Sequence, residues 1–242
     1  MEGFSPLSNP GKPAVVATRW WWVRHAPVRS DGGNIYGQKD IECDTSDREV
    51  FEAVAKILPR GAAWYASNLM RTHQTAEAVW AAGFPKPSNM IKEAAFAEQN
   101  LGQWQGMNRA AFLASQPVGR QWFAEIDEPA PGGESFMDLY RRVCGAIERI
   151  NVECAGKDVI VAAHGGTIKA AVGLALGGLV EKCLAFDIDN CSVTRLDHLA
   201  SAGHSSWRLP MVNQQPWIAD AKHAAMYQPA GPEVLPPETK LA

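Results

Sequence analysis

Five residues of this 242-residue chain combine a reactive or charged side chain with a suggestive neighbourhood: His25 directly after Arg24, His164 directly before Gly165-Gly166, Arg71 four residues after Ser67, and Glu98 ahead of a glycine-containing loop. An imidazole whose ordinary pKa is ~6.5 is largely neutral near pH 7, and it can attack phosphorus and hold the phosphoryl group covalently. The transferred group spreads its negative charge over three oxygens, so the protein's share of the work is positioning and charge stabilisation. Arginine suits that task, because its planar fork binds phosphate bidentately and keeps its proton. A second histidine adds charge or a hydrogen bond to the same oxygens. Glu98 supplies an acid for the leaving oxygen. These parts suffice for phosphoryl transfer without a metal or other cofactor.

The elements that must carry them are readable from the pattern. Ala14 to Val23 is a β-branched and aromatic run, with three consecutive tryptophans, and reads as a buried strand ending at Arg24-His25. Asp47 to Leu58 has one apolar face at helical spacing and is stopped by Pro59 and Gly61. Ala62 to Ala66 has strand length, and Ser67 is placed to cap a helix running to about Ala82. Phe96 to Gly106 reads as a strand edge passing into a loop, and Asn108 to Phe123 as a helix. After the breaker Glu128–Gly133, an amphipathic helix runs from Phe136 to Ile150, with Ser135 or Gly133 as its start. Val159 to Ala163 is a continuous apolar strand, followed by a helix through about Leu176, and Ser192–Leu196 and Trp207–Val212 are final strands. Strands alternating with helices give an α/β fold with a mostly parallel central sheet and helices on both faces. Ligand sites in such sheets gather at the carboxyl ends of the strands, where the two histidines and Ser67 fall.

Composition bounds the remaining possibilities. Hydrophobic residues make up 46% and charged residues 20%, the balance of an ordinary globular chain. Lysine and arginine number 23 against 26 acidic residues, a net charge of −3, which argues against a general nucleic-acid binder. The longest uncharged apolar run, Ala170 to Val180, falls short of the ~20 residues that span a bilayer, so no membrane association is expected. The five cysteines form no metal-like spacing and read as free thiols, and with no export signal legible the expected location is the cytoplasm. Residues 1–13 are expected to be a flexible lead-in, 14–215 a single domain, and 216–242 an irregular Pro-rich tail. His73, His198, His204 and His223 read as surface residues.

Four ordered blocks resemble the histidine phosphatase superfamily, the phosphoglycerate-mutase-like proteins. Val23-Arg24-His25-Ala26 looks like that family's Arg-His-Gly signature, and Ser67 to Ala76 is similar to its Ser-x-x-x-Arg-x-x-Gln-Thr-Ala helix start. Glu98 to Gly106 looks like its Glu-x-x-x-Gly-x-Trp-x-Gly loop, and Ala162 to Gly166 like its His-Gly-Gly block. The resemblance implies the family's three-layer fold, with His25 the phosphorylated nucleophile. Arg24, Arg71 and His164 would bind the phosphate, and Glu98 would be the proton donor and then the base for water. A carboxyl beside a phosphoryl dianion is favoured in its protonated form by like-charge repulsion.

The sequence departs from the family pattern at three places. Ala26 replaces the glycine, and Pro27 follows it without an N–H; family members with Arg-His-Ala-Pro tend to be small-molecule phosphatases, some α-ribazole-phosphatase-like. Asp31 stands where many relatives place a phosphate-binding asparagine, with Asn34 as a candidate substitute. Lys39, in a stretch resembling the substrate loop, is a candidate substrate contact. The implied activity is hydrolysis of a small phosphomonoester through a phosphohistidine. Two alternatives remain: a phosphoglycerate mutase, disfavoured because Gln121-Trp122-Phe123-Ala124 lacks the family's arginine pair, and a catalytically weak phospho-ligand-binding module. The substrate and the oligomeric state are not legible.

Overall fold

The computed structural model describes residues 14–117 and 122–219, so the expected lead-in and all but the first four residues of the expected tail lie outside it. Nine residues from Val16 to Arg24 form β1, in the middle of a six-stranded sheet. Its three indoles alternate as a pleated strand requires. Trp20 and Trp22 stack on one face, centroids 5.4 Å apart, while Trp21 joins the core on the other.

The remaining elements are α1 (Arg48–Ile57), β2 (Ala63–Ala66), α2 (Met70–Ala81), β3 (Met90–Lys92), α3 (Arg109–Ala114), α4 (Phe136–Glu153), β4 (Asp158–Ala163), α5 (Gly165–Ala175), α6 (Val180–Cys183), β5 (Val193–Ser201) and β6 (His204–Gln214). The strand order is β3-β2-β4-β1-β5-β6. The first four are parallel, while β5 and β6 run antiparallel to their neighbours. Helices α4 and α5 cover the face carrying Trp20 and Trp22, and α1 and α2 cover the face carrying Trp21 and Val23. The result is a mostly parallel sheet between two helical layers.

Local chemistry explains the element ends. Ser135 caps α4 through a reciprocal box with Asp138. Ala202 and Gly203, at φ +48° and +79°, make the two-residue turn between β5 and β6. Gly102, at φ +44°, lies against Gly133 so closely that a methyl group on either would strike the other's backbone.

Two expectations need correcting, and two further features were not anticipated. The helix expected over Asn108–Phe123 stops at Ala114, and Pro117 with its missing N–H cannot continue it. The strand edge expected at Phe96–Gly106 is instead two single turns, Ala94–Phe96 and Gly102–Trp104, joined by loop, so Glu98 stands on irregular backbone. The β3 and α6 segments, three and four residues long, are too short to carry a period and were not anticipated. Residues Pro216–Ala219 form a turn whose Trp217 is buried in the α1 core, so the chain stays packed beyond β6.

Candidate active site

Parallel register brings the two histidines together. Arg24 pairs with Ala163 across β1 and β4, so His25 and His164 each follow a paired strand end, with ring centroids 5.2 Å apart. Both rings are buried. His25 Nδ1 lies 2.7 Å from the carbonyl of Ala26, and since a carbonyl only accepts, Nδ1 carries the proton and Nε2 keeps its lone pair. Burial, and then the charges of Arg24 and Arg71, lower His25 well below its ordinary pKa, leaving a neutral imidazole at pH 7. His164 is lowered by burial first and by Arg71 next.

Each cation is aimed by carbonyls at the far end of its fork. Arg71 Nη1 donates to Lys39 O at 2.9 Å and Nη2 to Gly37 O at 2.7 Å, while Arg24 Nη1 donates to Ile188 O. Burial lowers Arg71, and the charge of Glu98 pulls it back. The Nε atoms of both arginines remain buried with no partner, and so does Nδ1 of His164. His164 Nε2 lies 2.8 Å from Ser67 Oγ; when that hydroxyl donates, Nδ1–H is left as a third free donor. Buried donors are almost always paired, so three unpaired nitrogens on residues beside His25 make a candidate anion hole.

Ser67 was expected to cap α2. Its Oγ accepts from Leu69 N at 3.1 Å and contacts His164, so its hydroxyl serves the approach to the helix and the histidine together. Thr75 Oγ1 of α2 accepts the Ala26 N–H at 2.8 Å and donates to Arg71 O at 2.7 Å, tying the backbone just after His25 to that of the arginine. The Glu98 carboxylate accepts from Gly166 N at the start of α5, 3.3 Å away, and from its neighbour Gln99 N at 3.0 Å. A side chain at Gly166 would collide with the carboxylate, which accounts for the second glycine after His164.

The profile of the histidine phosphatase superfamily (branch 1) matches residues 20–213. The chain belongs to that superfamily. This histidine phosphatase is 31% identical over 151 residues to 2,3-bisphosphoglycerate-dependent phosphoglycerate mutase 2 of Gloeobacter violaceus, covering 60% of this chain and 68% of the relative. It is 32% identical over 178 residues to phosphoserine phosphatase 1 of Hydrogenobacter thermophilus, covering 70% and 82%. Its match to a bifunctional protein of Mycobacterium tuberculosis spans only 46% of that protein. Among solved structures it superposes on mycobacterial hydrolase 2 with a TM-score of 0.69 at 26% identity, covering 83% of this chain and 92% of the other. The chain is an enzyme of the histidine phosphatase class with the fold of its phosphoglycerate-mutase-like neighbours.

Beyond the anion hole a cleft of about 220 Å³ opens, lined by Arg24, Tyr36, Glu98, Arg109, Trp122 and Lys169 among others. Asn34 and Lys39 stand outside this lining. Asn34 forms a backbone bridge to Asn108, and the exposed Lys39 lends its carbonyl to Arg71. Asp31 closes a turn by accepting Gly33 N. Arg109, Trp122 and Lys169 escaped the sequence reading because isolated cations and aromatics carry no spacing signal. Lys169 is the exception in principle, since it sits one helical turn beyond Gly166 on the helix His164 introduces. Its ammonium donates to Leu184 O at 2.8 Å and lies over the Trp122 ring, 4.9 Å from the centroid. His73, expected on the surface, is half-buried, with Nε2 2.8 Å from Ser67 O. Among the described residues no helix is long and apolar enough to cross a membrane.

Proposed function

We propose that this histidine phosphatase hydrolyses a small phosphomonoester through a covalent phosphohistidine at His25. The observation that carries the reading is the set of unpartnered buried nitrogens on Arg24, Arg71 and His164, residues that lie beside an imidazole engaged through Nδ1 and not Nε2. Nε2 attacks phosphorus in line with the leaving oxygen, and the three donors take up the charge on the equatorial oxygens. The bond from phosphorus to the alcohol oxygen breaks, and Glu98 gives that oxygen its proton. Glu98 then removes a proton from the water that attacks the phosphohistidine, releasing inorganic phosphate and returning His25 to its starting state. The charge stabilisation comes from protein groups throughout, so the reaction is expected to proceed in chelator.

A mutase would need to keep the phosphoryl group on the enzyme and return it to a product alcohol. The relative from Gloeobacter keeps that reading open, but no feature of the cleft favours it over hydrolysis. The substrate is a soluble phosphorylated metabolite in this reading, and a cytoplasmic setting agrees with five cysteines left as free thiols.

The test is rapid acid-free quenching during turnover of a ³²P-labelled monoester, with EDTA present. Label retained on the protein, stable to base and lost in acid, together with steady release of inorganic phosphate, is expected. Phosphate release with no acid-labile protein label would overturn the covalent step, and loss of activity in EDTA would overturn the metal-free one.

A further inference from the structure

Glu98 poses a positioning problem. It lies between two isolated turns, with no strand ladder or helix to fix its backbone, although a proton donor must meet its oxygen within hydrogen-bond reach. The carbonyls around it converge on one guanidinium from α4. Arg142 Nη1 donates to Ala95 O at 2.7 Å and Ala97 O at 2.9 Å, and Nη2 donates to Glu98 O at 2.9 Å. Gln38 Nε2 adds a second donor to Glu98 O, at 2.8 Å.

The same guanidinium is fixed on its other edge. Glu134 receives it bidentately, Nη2 to Oε1 at 2.6 Å and Nε to Oε2 at 3.1 Å. Glu134 in turn accepts Asn100 N at 2.8 Å with its side chain and Gln99 Nε2 at 3.0 Å with its carbonyl. Both partners are largely shielded, their side chains 23% and 18% exposed, so the geometry is held more firmly than in a surface ion pair. Every backbone group that Arg142 binds belongs to residues 95–98, and Arg142 does not line the cleft.

We propose that Arg142, locked by Glu134, is a positioning residue that sets where the Glu98 carboxyl stands relative to the leaving oxygen. A planar five-donor fork can serve three carbonyls and a carboxylate at once, which a lysine cannot. Deleting it leaves those carbonyls without their cation and frees the loop to shift. The proposal rests on the phosphatase reading, because it assigns the loop's geometry to delivery of a proton.

The test compares an alkyl phosphate, which needs the proton, with p-nitrophenyl phosphate, whose leaving group departs without one, on wild-type protein and on R142A, R142K and E134Q. In R142A, kcat for the alkyl ester is expected to fall about 100-fold, the scale of a misplaced catalytic group, and the aryl ester by less than about 10-fold. R142K and E134Q are expected to show the same split at smaller size, and guanidinium ion added to R142A is expected to recover part of the alkyl rate. Equal losses on both esters in folded variants would make Arg142 a structural residue only and overturn the proposal; if R142A does not fold, R142K and E134Q decide it by the same ratio. Wild-type protein that releases phosphate from neither ester would instead overturn the phosphatase reading, and the proposal with it.

Discussion

The floor of the site and its walls are built by different physics. The floor is the edge of the parallel sheet: His25, Ser67 and His164 follow β1, β2 and β4, their positions dictated by backbone register, and Arg71 is anchored by the helix that follows Ser67. It is buried; Ser67 bonds His164 directly, while His25 and Arg71 bond backbone carbonyls. The walls come from residues 36–37, 98–109, 122–123 and 187–188, a set of loops, single turns and one six-residue helix, with Arg109 and Asp187 exposed. Reaction chemistry needs the rigidity of the first region, and substrate choice can reside in the second, where changes do not propagate into the sheet. Glu98 belongs to neither cleanly. Its proposed chemistry belongs to the floor and its backbone to the walls, and the role proposed for Arg142 joins the two.

The sharpest test of the floor is His25→Ala. Turnover is expected to fall on the order of 10⁴-fold or more, with acid-labile labelling abolished, because no other group can carry the phosphoryl intermediate. Near-wild-type turnover by this variant would remove the division altogether. Glu98→Gln is expected next, slowing an alkyl phosphate about 10²–10³-fold while p-nitrophenyl phosphate changes by less than about 10-fold. Equal losses on both esters would remove the acid role. His164→Ala should weaken vanadate inhibition and lower kcat about 10²-fold on both esters alike, since an anion-hole donor serves every leaving group equally.

Acid sharpens the comparison from another side. His25 and His164 are held below their ordinary pKa when folded and return to it when unfolded. The unfolded chain therefore binds more protons as pH drops below ~6.5, and stability falls by up to about 1.4 kcal/mol per pH unit for each histidine until the folded pKa is reached. Above pH ~6.5 both states are neutral at these positions and the effect vanishes. Thermal unfolding followed from pH 7.5 to 5.5 is expected to show a falling Tm, while the nucleophile stays neutral and active below pH 6.5; a flat Tm would show the floor to be wetter than the structure has it. The smallest effect belongs to the walls. Arg109→Ala is expected to change KM by less than about 10-fold with kcat within about 2-fold, because an exposed side chain outside the anion hole contributes to binding alone.

How much was legible divides along the same boundary. The strand carrying three tryptophans, the apolar run before His164 and the long helix after Gly133 announced themselves through period and punctuation, and parallel pairing then placed Arg24, His25 and His164 at one edge. Glu98 was identified from its motif, but its backbone was misread as a strand edge, because two three-residue turns leave no period to detect. The helix beyond Ala114 was overextended despite Pro117. Asn34 and Lys39 were singled out by the family resemblance, yet neither is among the residues lining the cleft, where Arg109 and Trp122 stand. Arg142 was invisible, since a cation on an amphipathic helix looks like any solvated one until the carbonyls it serves are seen.

The stacked indoles of β1 offer a spectroscopic handle on the strand that leads to His25. Trp20 and Trp22 lie nearly parallel, 11° apart, and against the edge of Phe96, two residues before Glu98. Two chromophores so disposed absorb as a coupled unit, and their share of the near-ultraviolet ellipticity is lost if the pleat slips or the aromatic cluster loosens. Dichroism in that band reports on the ground beneath both His25 and Glu98 without any label being attached.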